Sequence, residues 1–176
     1  MDLKEKIIKT DRIYDGKVIN VRVDDVEMPD SSVAKREIVE HHGGVGVIPI
    51  TADGEAFMVS QYRSAAQCVM LEIPAGKLER GEDPLECGKR ELIEETGYSG
   101  GEFIYLGSYF ATPAYCQEKL SLYLAKDLTW QGQHLDEQEF LNVKKYKLND
   151  LYDMVMRNEI IDCKTAIAIL KAKALL

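Results

Sequence analysis

A chain of 176 residues with 45% hydrophobic and 30% charged residues has the size and composition of one ordinary soluble domain with a small extension, long enough to bury a core. Its net charge of −8, with no dense Lys/Arg cluster to reverse it locally, argues against general affinity for nucleic acid or anionic membranes and leaves small or metal-bridged partners. Cys68, Cys87, Cys116 and Cys163 lie too far apart for a CxxC metal pair or a dense disulfide framework, and neither a signal-peptide run nor a membrane-length apolar span is visible, so free thiols in a cytoplasmic protein are expected.

Residues 5–41 carry three β-branched bursts, KIIKTDRIY, KVINVRVDDVEM and VAKREIVEHH, separated by turn signals at Asp15-Gly16 and Pro29-Asp30. They predict three strands, too few and too amphipathic to be stable alone. A small N-terminal antiparallel β region over 1–41 is therefore expected to pack on the rest of the protein or on a second subunit. His41 and His42 have no metal-ligand spacing with any other residue. Gly43-Gly44 then introduces VGVIPI, a run suited to a buried strand, and Ala52-Asp53-Gly54 turns into AFMVSQYR; the pair reads as a hairpin. CVMLEIPAG reads as one further strand.

The next stretch, GKLERGEDPLECGKRELIEETG from Gly76 to Gly97, crowds seven acidic side chains into 22 residues. Pro84 suits a first helical turn, where its missing N–H costs nothing, and Gly97 suits a left-handed C-terminal cap, so one helix is predicted over Pro84–Thr96. Glu91, Glu94 and Glu95 are spaced to crowd one face of it. Like charges so placed destabilise a helix by roughly a few tenths of a kcal/mol per pair, which calls for compensation by a divalent cation or by Arg90, four residues before Glu94. Beyond Gly97, EFIYLGSYF, KLSLYLAKDL and FLNVKKYKL read as strands, divided by the loop Thr112–Glu118 and the polar run Gln131–Glu139. Asn149 is placed to cap a helix through Arg157. Asp162 is placed to cap a last helix, CKTAIAILKAKALL, with Ala166, Ile169 and Leu170 as its apolar stripe.

The acidic stretch fixes Gly76, Glu82, Arg90-Glu91-Leu92, Glu94-Glu95 and Gly97 at set intervals, and in this it resembles the Nudix box, the signature of hydrolases that cleave a nucleoside diphosphate linked to another group. Tyr98 stands where that box usually ends on an aliphatic residue. The resemblance covers nearly the whole chain and is to the ADP-ribose pyrophosphatase branch. Gln61-Tyr62-Arg63 and Leu71–Lys77 are similar to its lead into the box, and Pro113, with Glu118 after it, to the loop of its marker proline. Leu135–Phe140 resembles its acidic catalytic loop, and Asp162–Ala166 its final helix. The fold this implies is α+β: a Nudix α/β/α sandwich, with a mixed β-sheet between helices, over a catalytic domain of 42–176. The N-terminal β region is expected to form a homodimer.

Breaking a pyrophosphate takes in-line attack of water on phosphorus, and divalent ions stabilise the charge that develops. Mg²⁺ takes oxygen ligands, a few of them from protein. Glu91 and Glu95 are thus the candidate ligands, with Glu94 assisting and the carbonyl of Ala75 contributing. The resemblance implies the same set, with Mg²⁺ as cofactor and Mn²⁺ as its alternative; the competing reading is a solvated helix face. Glu82 and Arg90 read as a loop-to-helix ion pair, metal contact by Glu82 being the other option, and Gly76 and Gly97 as turn residues. Arg63 suits a phosphate or terminal ribose, and Glu72 a ribose hydroxyl or metal, while a structural ion pair serves equally for either. The resemblance implies Glu139 as general base, with Glu137 second, against the plain alternative of an exposed polar loop. Arg36 and Glu37 resemble a region that reaches into the partner's site in a swapped dimer. Tyr14 either stacks on adenine or is an ordinary strand tyrosine. The expected reaction is Mg²⁺-dependent hydrolysis of ADP-ribose to AMP and ribose 5-phosphate. Two alternatives stand beside it. One is Nudix hydrolysis of another nucleotide sugar or of a dinucleoside polyphosphate, the latter kept open by Tyr115; the other is a catalytically inactive nucleotide-sensing module, which would be expected to lack box glutamates.

Overall fold

The computed structural model describes residues 2–135 and 140–176. The chain forms two compact units, one running to Gly43 and taking in Phe110–Lys119, the other made of Gly44–Tyr109 with Leu120–Leu176. In the first, β1 (Lys6–Asp15), β2 (Asn20–Glu27) and β3 (Val33–Glu40) form an antiparallel sheet in the order β1-β2-β3. The turns lie where the sequence places them: Gly16 N–H donates to the Ile19 carbonyl at 3.1 Å, and Asp30 Oδ1 accepts from Ser32 N–H at 3.0 Å. The segment Phe110–Lys119 docks on β3, with Val39 N–H donating to the Tyr115 carbonyl at 2.7 Å and Gln117 N–H to the Val39 carbonyl at 2.9 Å.

The second unit carries β4 (Gly44–Pro49), β5 (Glu55–Arg63), β6 (Cys68–Glu72), β7 (Ala75–Lys77), α1 (Pro84–Thr96), β8 (Tyr98–Ser99), β9 (Glu102–Phe110), β10 (Lys119–Lys126), β11 (Thr129–Trp130), β12 (Leu141–Lys147), α2 (Leu148–Met156) and α3 (Cys163–Leu175). Its central strand is β4, parallel to β10 and antiparallel to β7 in a sheet ordered β7-β4-β10-β9. Every residue of β4 is buried, which is why VGVIPI is apolar almost throughout. Alternation decides which layer each side chain joins. Val45 and Val47 pack with Cys87 and Leu92 of α1, whereas Ile48 packs with Leu151 of α2 and Ala168, Ile169 and Ala172 of α3. The sheet thus lies between helices, the mixed α+β sandwich expected from the sequence. Full burial of Ile48, Leu122, Leu124 and Ile169 removes each from water, at about 1.5–3 kcal/mol of hydrophobic stabilisation per side chain.

Four local expectations are corrected. The β4–β5 hairpin exists only next to its turn, as the antiparallel bridge between Ile50 and Ala56; away from the turn β5 leaves for a second antiparallel sheet, β12-β5-β6. Pro49 has no N–H with which to extend a ladder past that point. CVMLEIPAG is two strands in different sheets, because Pro74 ends β6 and turns its carbonyl to Val47 N–H at 2.9 Å. The helix expected to be capped by Asn149 starts two residues earlier, with Lys147 at the cap position and no side-chain cap bond. Asn149 instead accepts from Lys173 Nζ at 2.7 Å, tying α2 to α3. On α3, Asp162 does cap, accepting from Thr165 N–H, but the buried stripe runs through Thr165, Ala168, Ile169 and Ala172, and Leu170 faces solvent.

Candidate active site

The acidic stretch folds as its local signals dictate. Asp83 caps α1, its Oδ1 accepting from Leu85 N–H at 2.9 Å and Glu86 N–H at 3.2 Å; Pro84 takes the first turn; Gly97 closes the helix at φ 78°. The left-handed conformation needs glycine here for a second reason, since a Cβ would lie 2.4 Å from the ring of Trp130. The carbonyls at this end of the helix lack intrahelical partners and are met by the segment after β11. Gln131 N–H donates to the Gly97 carbonyl at 2.7 Å, His134 N–H to the Glu94 carbonyl at 3.2 Å, and the Gln133 side chain to the Glu95 carbonyl. Tyr98, the departure from an aliphatic residue, stacks between Phe57 and Trp130, with ring centroids 4.4 and 5.1 Å away.

Glu91 and Glu95 are buried carboxylates, at 9% and 2% exposure, so their positions demand polar compensation. Glu95 Oε2 accepts from Ala75 N–H at 3.0 Å. The Glu91 carboxylate lies directly on the α-carbon of Gly76: a Cβ there would come within 1.9 Å of its Cδ and Oε1. Arg90 gathers the rest, lying 2.8 Å from Glu91 Oε1, 2.8 Å from Glu94 Oε2 and 3.3 Å from Glu82 Oε1. Glu82 in turn accepts from Glu79 N–H at 2.8 Å, and this backbone bond, ahead of Arg90, holds its carboxyl below the usual range. Burial pushes the Cys87 thiol beside this cluster up to about 12, so it stays a neutral packing group.

A second cluster lies at the end of β5 and β6. Arg63 grips Glu72 with both arms of its guanidinium, Nε to Oε1 and Nη2 to Oε2, each at 2.7 Å. Lys164, the second residue of α3, contacts Glu72 from the other side and also donates to Asp162 Oδ2 at 2.9 Å. Burial opposes ionisation of Glu72, but the hydrogen bonds from Arg63 and the charge of Lys164 outweigh it and hold the carboxyl below the ordinary value of 4.5. The bond to Glu72 raises the Arg63 guanidinium above its ordinary value, with a smaller attraction from Glu95 in the same direction.

Arg36 and Glu37 on β3, and Pro113 and Glu118 in the docked segment, belong to the N-terminal unit. There Arg36 pairs with Glu5, Nη2 to Oε1 at 2.6 Å, and Glu118 lies 3.7 Å from His41 Nδ1, which already accepts from Gly43 N–H. Tyr14 is 55% exposed on β1. Glu137 and Glu139 lie outside the described residues. A cavity of about 500 Å³, lined among others by Thr51, Phe57, Tyr98, Lys126 and Lys145, includes none of the box carboxylates in its wall, so volume alone does not mark the chemistry. Lys164 is the residue that sequence reasoning passed over as part of a final-helix pattern; its contact to Glu72 spans 92 positions, and no local signal announces it.

Ala75, Glu91, Glu94 and Glu95 offer the hard oxygen donors that a Mg²⁺-sized cation takes. Among the described residues no three His, Cys, Asp or Glu side chains already converge on one point. Such an ion needs only one or two carboxylates, with water and phosphate completing the octahedron, and the seating of Glu91 against a bare α-carbon keeps its carboxylate beside the Ala75–Gly76 backbone. The donor set fits.

Comparison with known proteins places the chain in a family. Residues 40–162 match the model of the NUDIX domain. The chain is 41% identical over 169 residues to an ADP-ribose pyrophosphatase of Bacillus subtilis (strain 168), covering 95% of this chain and 91% of that one. It is 43% identical over 168 residues to a methanol dehydrogenase activator of Bacillus methanolicus, covering 94% and 91%. The crystal structure of an ADP compounds hydrolase superposes with a TM-score of 0.87 at 21% identity, over 100% of this chain and 96% of that one, a likeness of fold.

Proposed function

This chain belongs to the Nudix family, and from that premise we propose that it hydrolyses the pyrophosphate of ADP-ribose to AMP and ribose 5-phosphate. The observation that most supports the reaction class is the seating of the Glu91 carboxylate on Gly76, with Glu95 held by the neighbouring Ala75 N–H and Glu82 and Glu94 held by Arg90. The substrate is supported by the high identity to the Bacillus subtilis pyrophosphatase along nearly the whole chain.

Glu91 and Glu95, with Glu94 and the Ala75 carbonyl, would hold Mg²⁺ or Mn²⁺, which when bound supplies charge neutralisation at the phosphates and a more acidic water. Glu82 and Arg90 fix the loop to the helix, and Gly76 and Gly97 set its two ends. Arg63 faces a phosphate or ribose, and Glu72 orients it. Water attacks phosphorus in line, the bridging P–O bond breaks, and Glu139 takes the water's proton, with Glu137 second in that role. Pro113 and Glu118 shape the substrate loop. Replacing Glu139 with Gln is expected to lower kcat by about 10²–10⁴ with little change in KM, as removal of a general base does; a pure KM effect would make it a positioning residue.

We further propose a cytoplasmic homodimer formed through the N-terminal β region, in which Arg36 and Glu37 serve the partner's site. The support is the apolar side chains that β1 and its turn leave exposed, Ile7, Ile8, Ile13, Tyr14 and Val18 among them. A monomer mass by light scattering would overturn it. Among the described residues no helix is long and apolar enough to cross a membrane.

The deciding experiment is a screen of nucleotide substrates with Mg²⁺ and product identification. AMP and ribose 5-phosphate from ADP-ribose are expected in preference to products from other nucleotide sugars or dinucleoside polyphosphates. Equal or faster turnover of one of those would replace the substrate assignment.

A further inference from the structure

Glu72 is the most enclosed charge of the second cluster, its side chain 1% exposed, and it is held by cations of two kinds. Arg63 reaches it from the open side, being 42% exposed itself. Lys164 reaches it from within, at 10% exposure, and is fixed there by Asp162, which also accepts from Thr165 N–H at 3.0 Å. Thr165 Oγ1 accepts from Ile73 N–H at 2.9 Å, so the start of α3 is stapled to the residue next to Glu72. Lys164 therefore has little freedom to leave, and Arg63 has much more.

The asymmetry has an energetic meaning. A buried carboxylate stripped of its only cation is strongly unfavourable, and the structure avoids that state by giving Glu72 two cations. Either one can turn away without leaving the charge uncompensated, and only Arg63 has solvent to turn into. We propose that Lys164 is a positioning residue for substrate binding: it holds the charge of Glu72 from inside, so that the guanidinium of Arg63 is released to a phosphate or ribose of the nucleotide. Without it, Glu72 and Arg63 lock together as a closed pair and the substrate competes with a buried carboxylate for the same donors. This rests on the reading that Arg63 contacts substrate.

The test is a double-mutant cycle read by equilibrium binding of ADP-ribose without metal, together with steady-state kinetics and melting temperature. Lys164→Met is expected to raise the dissociation constant and KM for ADP-ribose about tenfold or more, the scale of one charge-assisted hydrogen bond, while kcat changes less than about threefold. Lys164→Arg restores binding. In the Glu72→Gln background, where no carboxylate detains Arg63, Lys164→Met has no further effect on binding. If Lys164→Met does not fold, Lys164→Gln, which keeps a hydrogen bond but no charge, takes its place with the same expected loss. Unchanged binding in the Lys164 variants, or a loss of equal size in the Glu72→Gln background, overturns the proposal and makes Lys164 purely structural. A wild-type protein that neither binds nor hydrolyses ADP-ribose instead fails the functional reading, and this inference with it.

Discussion

Replacing Glu95 with Gln is expected to reduce kcat about a thousandfold, roughly 4 kcal/mol of transition-state stabilisation, and to weaken Mg²⁺ binding measured by calorimetric titration. The fold should survive. Glu95 is 2% exposed and accepts from Ala75 N–H at 3.0 Å, and the amide oxygen of Gln can accept the same bond in the same place. What the substitution removes is negative charge where a cation and a phosphate would meet, and a neutral amide oxygen is a poor ligand for so hard an ion. A loss of less than about tenfold with undiminished Mg²⁺ affinity would take Glu95 out of the site.

The Gly76→Ala variant should separate stability from activity even more sharply. The new methyl would lie 1.9 Å from Cδ and Oε1 of Glu91, a distance no real pair of atoms tolerates, so one of them moves. The obstacle is the far end of a flexible side chain, and swinging it away costs little. The melting temperature is therefore expected to shift by no more than a few degrees, about 1 kcal/mol or less. Activity is expected to fall by about two orders of magnitude, because the displaced carboxylate is one of the proposed metal ligands. Marked destabilisation with kcat intact would return Gly76 to the role of a turn residue alone.

What could be read from the sequence was what is encoded locally. The helix Pro84–Thr96 and its glycine stop follow from Asp83, Pro84 and Gly97 within a few positions of one another, and the three N-terminal strands follow from turn residues flanking β-branched runs. Strand partnership was not legible in the same way. VGVIPI and AFMVSQYR both suit buried strands, and nothing in either run says that β4 takes β10 and β7 while β5 takes β12 and β6. The site divides along the same line. The crowding of Glu91, Glu94 and Glu95 is a matter of helical spacing, but the contact of Glu91 with Gly76 depends on how β7 meets α1, and the Lys164–Glu72 contact joins residues 92 positions apart. Asn149 shows the converse: a good local capping residue was drawn off by Lys173, a partner only the tertiary fold supplies.

The chain contains a single tryptophan, and the fold has put it at the end of the box. Trp130 touches the α-carbon of Gly97 and stacks edge-on against Tyr98, and the residues just after it tie down the carbonyls of Glu94, Glu95 and Gly97 before the chain runs on towards Glu137 and Glu139. At 60% exposure its indole senses solvent as well as the helix end. The protein is thus supplied with its own fluorophore, undiluted by any other indole, at the junction between the proposed metal ligands and the loop proposed to carry the base. If the proposed site is right, arrival of a cation or a nucleotide is expected to change that emission, which a titration without a label and without turnover would read.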